Sequence, residues 1–183
     1  MAIRTIIRMG HPLLRETAQT VPPEAFNTPE MDELLNDLYD TMIESQGIGI
    51  AAPQIGVSLQ IALINIPKDN PRYPDAPEQG LLTIINPEIE INDQTSQGFW
   101  EGCLSVPGLR GYVERPRSIT VRYLTREGES AEIRADGFLA TVFQHELDHL
   151  FGKLYVDHIS DSKKLMYNEE FLQFHANAPA LDD

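Results

Sequence analysis

A chain of 183 residues, 42% of them hydrophobic, is long enough to bury a core without staples, and none of its apolar runs reaches the ~18–20 residues that span a bilayer. Its net charge of −14 argues against nucleic-acid or anionic-membrane partners, which need clustered Lys and Arg. The single cysteine, Cys103, excludes an internal disulfide, and Arg8 interrupts the apolar start Ile3–Ile7, so no secretory signal is expected and a cytoplasmic setting is.

Thr28-Pro29-Glu30 announces a helix: a hydroxyl cap, proline at the first helical position and an acid near the positive end of the dipole. Met31, Leu34, Leu35, Leu38, Met42 and Ile43 follow at helical spacing, and Gly47 is the expected stop. Gln60–Ile66, Leu81–Ile91 and Ser118–Leu124 are β-branched or aliphatic and read as strands. Pro67, Pro71, Pro74 and Pro77 mark a surface loop between the first two. Thr125–Glu129 reads as a hairpin turn into a strand at Ala131–Ala135. Asp136 is positioned to cap a second helix running to Phe151, with Gly152 as its terminator. One short helix is expected from Asp161, fraying after Pro179. With no repeat and no linker, the expected fold is a single α+β domain over residues 1–183. Mainly antiparallel strands would pack around a central metal-binding helix, with an N-terminal helix and a short C-terminal one.

The second helix carries His145-Glu146-Leu147-Asp148-His149. Residues four apart share a helical face, so both imidazoles can meet one metal ion while Glu146 sits near a water bound to it. The bland alternative is a structural pair of histidines, but they continue the face of Phe138 and Val142, at the boundary of the core. The third ligand decides the chemistry. One protease class continues the motif to Gly and a third His; Gly152 is present here but Tyr155 stands at the His position, which excludes that class. Another class takes a glutamate from a later helix, and Glu169 or Glu170 keeps it open. The remaining candidate is Cys103 in Glu101-Gly102-Cys103-Leu104-Ser105, where Gly102 permits close backbone approach. Gly47-Ile48-Gly49 is not a phosphate loop, because no third matching glycine or downstream Lys-Ser/Thr follows.

Three segments together resemble the signature motifs of peptide deformylases, in family order: Gly47-Ile48-Gly49-Ile50-Ala51-Ala52-Pro53-Gln54, Glu101-Gly102-Cys103-Leu104-Ser105 and Gln144-His145-Glu146-Leu147-Asp148-His149. Pro12-Leu13-Leu14-Arg15 and Asn86-Pro87 are similar too, so the resemblance covers residues 4–158. It implies a hydrolase that removes the N-formyl group from formyl-methionine at the start of newly made polypeptides, as in bacteria. It further implies Cys103, His145 and His149 as ligands of one divalent metal, with Glu146 as proton shuttle and the Gln54 amide and Leu104 N–H as oxyanion donors. Ferrous iron is the implied native metal, with zinc, nickel or cobalt as substitutes. Gly47 and Gly49 would let an extended peptide approach a strand edge, Gly102 would also line the substrate site, and Ile48, Phe99, Phe138, Thr141 and Val142 would surround the methionine side chain. Arg110 resembles a family position at the pocket mouth that holds substrate carbonyls; Glu101 and Asp148 would orient the ligands or the segments that hold them, with Arg115 as a partner for Glu101. Family members that dock at the ribosome often carry a long basic C-terminal helix. Here Glu169, Glu170, Asp182 and Asp183 outweigh the two lysines from Lys163 onward, so docking through such a helix is not expected and any ribosome contact would be transient.

Overall fold

The computed structural model describes residues 2–68 and 78–176. Pro71, Pro74, Pro77 and the stretch after Pro179 lie outside them. Helix α1 (Pro29–Glu44) begins as its sequence dictates, with the Thr28 hydroxyl accepting the Met31 N–H at 3.2 Å and Glu30 and Asp32 in the first turn. Its end differs from expectation. Gln46, not Gly47, takes the left-handed conformation (φ 54°), and the Gly47 N–H closes on the Met42 carbonyl at 2.9 Å.

Among the described residues, six strands form one antiparallel sheet: β1 (Gly49–Ala51), β2 (Ile61–Ile66), β3 (Gln79–Cys103), β4 (Val106–Leu124), β5 (Ser130–Asp136) and β6 (Leu165–Tyr167). The first five neighbour one another in sequence order, and β6 pairs with the early part of β4. Strands β3 and β4 are far longer than the expected 81–91 and 118–124, and they make one long hairpin whose tip is Leu104-Ser105. Its ladder shifts register beside Asn86-Pro87, around Asp93 and at Glu101–Cys103.

Strand β2 separates two cores. Ala62, Ile64 and Ile66 face the cluster holding Ala140, Phe143 and Leu147 of helix α2 (Gly137–Asp148). Ile61 and Leu63 face Met31, Leu35, Leu38 and Met42 of α1. Each fully buried aliphatic side chain of this kind contributes about 1.5–3 kcal/mol, so apolar contact makes a large contribution to holding α2 against the sheet. Residues Ala140–Leu147 are all buried, which makes α2 the central helix.

Three further expectations are corrected. Helix α2 ends at Asp148, not Phe151, with His149 as its C-terminal cap; tight turns carry the chain on to Gly152 (φ 70°). The Asp136 side chain does not cap α2; it turns to Arg134, 3.4 Å away. The single helix expected from Asp161 is instead a short turn, strand β6 and helix α3 (Asn168–Phe174). No helix among the described residues is long and apolar enough to cross a membrane.

Candidate active site

The tip of the long hairpin delivers Cys103 to the face of α2 that carries both histidines. The Cys103 Sγ lies 3.4 Å from His149 Nε2, and one ligand-type atom from each of Cys103, His145 and His149 falls within 4.8 Å of the others. Glu169 and Glu170 are exposed on α3 and are not part of this cluster.

His145 is held from behind, whereas His149 Nδ1 has no hydrogen-bond partner among the described residues. Glu101 Oε2 accepts from His145 Nδ1 at 2.7 Å, which turns the other ring nitrogen toward the sulfur. Arg115, 3% exposed, clamps Glu101 through Nε (2.6 Å) and Nη2 (3.0 Å), and donates through Nη1 to Asp148 at 2.8 Å. Asp148 also pairs with His158 Nε2 at 2.8 Å. Gln54 comes from a single helical turn (Ala52–Ile55) after β1 and is fixed at both ends. Its Oε1 accepts the Ala51 N–H at 2.8 Å, and its Nε2 donates to Ser105 Oγ at 3.2 Å and toward Cys103 Sγ at 3.5 Å. That network settles which end of the amide faces the cluster. Ser105 was not singled out from the sequence; its signal is only its place two residues beyond the cysteine.

Charge follows geometry. Burial pushes the Cys103 thiol up, but the two imidazoles outweigh it and bring its pKa down to about 5. Burial lowers His145, yet the adjoining thiolate and Glu101 carry it well above the usual histidine range. Glu101 and Asp148 are desolvated too, but their partners hold both low, Asp148 at about 2. Glu146 is the exception: burial raises its pKa, only partly offset by the histidines, and its Oε2 has no hydrogen-bond partner. Gly49 makes that carboxylate's position available, since a Cβ there would collide with it. A thiolate and two imidazoles converging beside a buried carboxylate oxygen without a partner are a donor set that fits a divalent metal ion.

The cluster opens into a cleft of about 240 Å³ lined by Gly47, Ile48, Gly49, Gln54, Gly102, Leu104, Arg110 and Glu146 among others. A smaller recess beside it is walled by Ile48, Trp100, Gly102, Phe138, Thr141 and Val142. Phe99 is not in that wall. It packs edge-on against Phe138 with ring centres 5.4 Å apart, and its neighbour Trp100 lines the recess instead.

A helix-borne His-Glu-x-x-His set, joined by a cysteine and an oriented amide donor above a peptide-sized cleft, defines a hydrolase with a metal-type centre. The polypeptide deformylase sequence model matches residues 3–165. A peptide deformylase of Leptospira biflexa is 44% identical over 170 residues, 93% of this chain and 95% of that protein. Peptide deformylase 1 of Bordetella pertussis is 46% identical over 168 residues, 91% of this chain and 93% of its own. Among solved structures, a class I type b peptide deformylase from Acinetobacter baumannii with Met-Ala-Ser bound superposes with a TM-score of 0.83 at 39% identity, over 86% of this chain and 99% of that one. The chain belongs to the polypeptide deformylase family. It is a hydrolase that removes the N-formyl group from newly made polypeptides.

Proposed function

We propose that this chain works in the cytoplasm as a single catalytic domain over residues 1–183, with Cys103, His145 and His149 holding one divalent metal ion, ferrous iron in the native state. The observation carrying this reading is the convergence of three ligand-type atoms within 4.8 Å of one another, beside a buried Glu146 oxygen that has no partner. When bound, the metal supplies a Lewis acid that polarises the formyl oxygen and lowers the pKa of a water. Glu146 takes the proton of the attacking water and delivers it to the departing amine nitrogen, so that water and formamide become formate and a free amino terminus. The Gln54 amide and the Leu104 N–H donate to the oxygen on which charge develops. The outer edge of β1, at Gly49–Ala51, receives the peptide as an added strand, and the recess at Ile48, Phe138, Thr141 and Val142 takes the methionine side chain.

The deciding assay follows formate release from formyl-Met peptides, with acetyl-Met peptides and internally cleavable peptides in parallel. The formyl group is expected to be strongly preferred, because an added methyl would crowd the Gln54 and Leu104 donors. Comparable kcat/KM for formyl and acetyl substrates would contradict this site, and internal cleavage would return the case to a protease.

The ligand set has its own test. Cys103→Ala is expected to strip or greatly weaken the metal, whereas Glu169→Ala and Glu170→Ala keep it, as elemental analysis of the three purified variants would show. Full occupancy in the cysteine variant would sink the assignment. Thiolate and imidazole donors suit iron, zinc, nickel or cobalt alike, so iron is tested by preparation without oxygen. That form is expected to lose activity in air as Cys103 gains oxygen atoms, with no second cysteine to trap the oxidised sulfur.

A further inference from the structure

The segment that follows the family-matched residues 3–165 folds back onto the mouth of the cleft. Strand β6 pairs with β4 beside the site, Leu109 opposite Tyr167 and Arg110 opposite Met166. The next residue, Asn168, accepts a hydrogen bond from Arg110 Nε at 3.1 Å and itself lines the cleft. One turn further on, Phe171 lies beneath the same guanidinium, whose central carbon sits 5.0 Å from the ring centre. Phe171 is only 8% exposed and rests in turn on Trp100, at 5.0 Å between ring centres. Arg110 is therefore held by its Nε edge and by one face. The guanidinium also lies beside Gly102, where a Cβ would come within 3.8 Å of Nη2.

We infer that Asn168 is a positioning residue: with Phe171 behind it, it fixes Arg110 so that the terminal guanidinium nitrogens face the cleft and bind backbone carbonyls of the substrate beyond its formyl-methionine. This rests on the cleft being the peptide site. The physical reason is preorganisation. A long arginine side chain loses rotamer freedom on binding, and holding it before the peptide arrives removes that cost. The Nε contact is the one an acceptor can occupy without consuming the paired donors at the fork's end. A peptide with several residues after methionine gains from this arrangement; one ending at methionine does not reach it.

The test uses the full-length, metal-loaded enzyme with two probes, formyl-Met-Ala-Ser and formyl-methionine methylamide. Asn168→Ala is expected to raise KM for the tripeptide roughly three- to ten-fold, the worth of ordering one rotamer-rich side chain. It should leave kcat, and the methylamide's KM, near the parent values. Asn168→Asp keeps the acceptor oxygen and is expected to restore the tripeptide KM. Arg110→Ala should show the same dependence on length, and adding Asn168→Ala to it should cost nothing more. Equal losses on both probes, or losses that add in the double variant, would overturn the inference, because the segment would then only support the fold. If Arg110→Ala responds to length and Asn168→Ala does not, the inference fails and the peptide site stands. If Arg110→Ala shows no dependence on length, the reading of Arg110 fails and takes this inference with it.

Discussion

Glu146→Gln is expected to lower kcat by ~10²–10⁴-fold, the usual worth of a positioned general acid–base, without loss of metal and without loss of stability. Glutamine fills the same space, so packing against Gly49 is kept and only the proton acceptor is removed. Burial already raises this carboxyl, which moves its proton affinity toward neutral pH, where a base that must take and then return a proton works best. The stability half of the prediction has a separate cause. Glu146 is 6% exposed, and its Oε2 meets no donor, so the native carboxylate is a desolvated acceptor that folding leaves unsatisfied. An uncharged amide is easier to bury, and the variant should melt no lower than the parent. Glu146→Ala tests the same loss with a cavity added. Turnover, elemental analysis and a thermal melt on both variants decide the matter; a glutamine variant within about ten-fold of parental kcat would remove Glu146 from the proton path.

How far such a site can be read from residues alone depends on the range of the forces that build it. Helix α1 was legible because its cap, proline and apolar spacing are local, and α2 because two histidines four apart on a helix must share a face. The outer half of the long hairpin was not. Gly98, Gly102, Pro107, Gly108, Gly111 and Pro116 weaken any strand signal between residues 92 and 117, and only pairing across the ladder, Gly98 with Glu114 and Trp100 with Tyr112, makes it a strand. Gly98 is itself a tertiary residue, since Tyr112 fills the space a Cβ would take. Strand β6 is three residues long and exists because Leu109–Gly111 is there to receive it. The same limit applies within the site. Cys103 and Gln54 could be placed through their motifs, but Trp100 rather than Phe99 in the recess, Ser105 behind Gln54 and Asn168 beside Arg110 all depend on contacts between segments far apart in sequence.

Arg115→Met is expected to be the most destabilising single change around the site. Arg115 is the only described cation joining Glu101 to Asp148, and both carboxylates are largely buried, with side chains 5% and 18% exposed. Removing one partner of a buried ion pair leaves the other charge desolvated, at about 3–5 kcal/mol. For a chain of this size that is a fall in Tm of roughly 6–20 °C. Metal affinity should drop as well, by ~10–100-fold, because Glu101 then orients His145 without its own clamp. Arg115→Lys should recover only part of either loss, since a point charge cannot reproduce the two-pronged grip on Glu101 together with the contact to Asp148. The two effects must be separated, because a lost metal would itself lower Tm. Melting curves are therefore compared with metal bound and after chelation: a deficit that persists in the chelated proteins belongs to the buried charges. Arg122→Ala provides the contrast. It also pairs with two carboxylates, Glu90 and Glu132, both at 2.8 Å, but in the open, where solvent screens the attraction, and its Tm should stay at the parental value. If Arg115→Met melts within about 2 °C of the parent after chelation, Glu101 and Asp148 do not depend on this arginine, and the orientation of His145 must be secured by Glu101 alone.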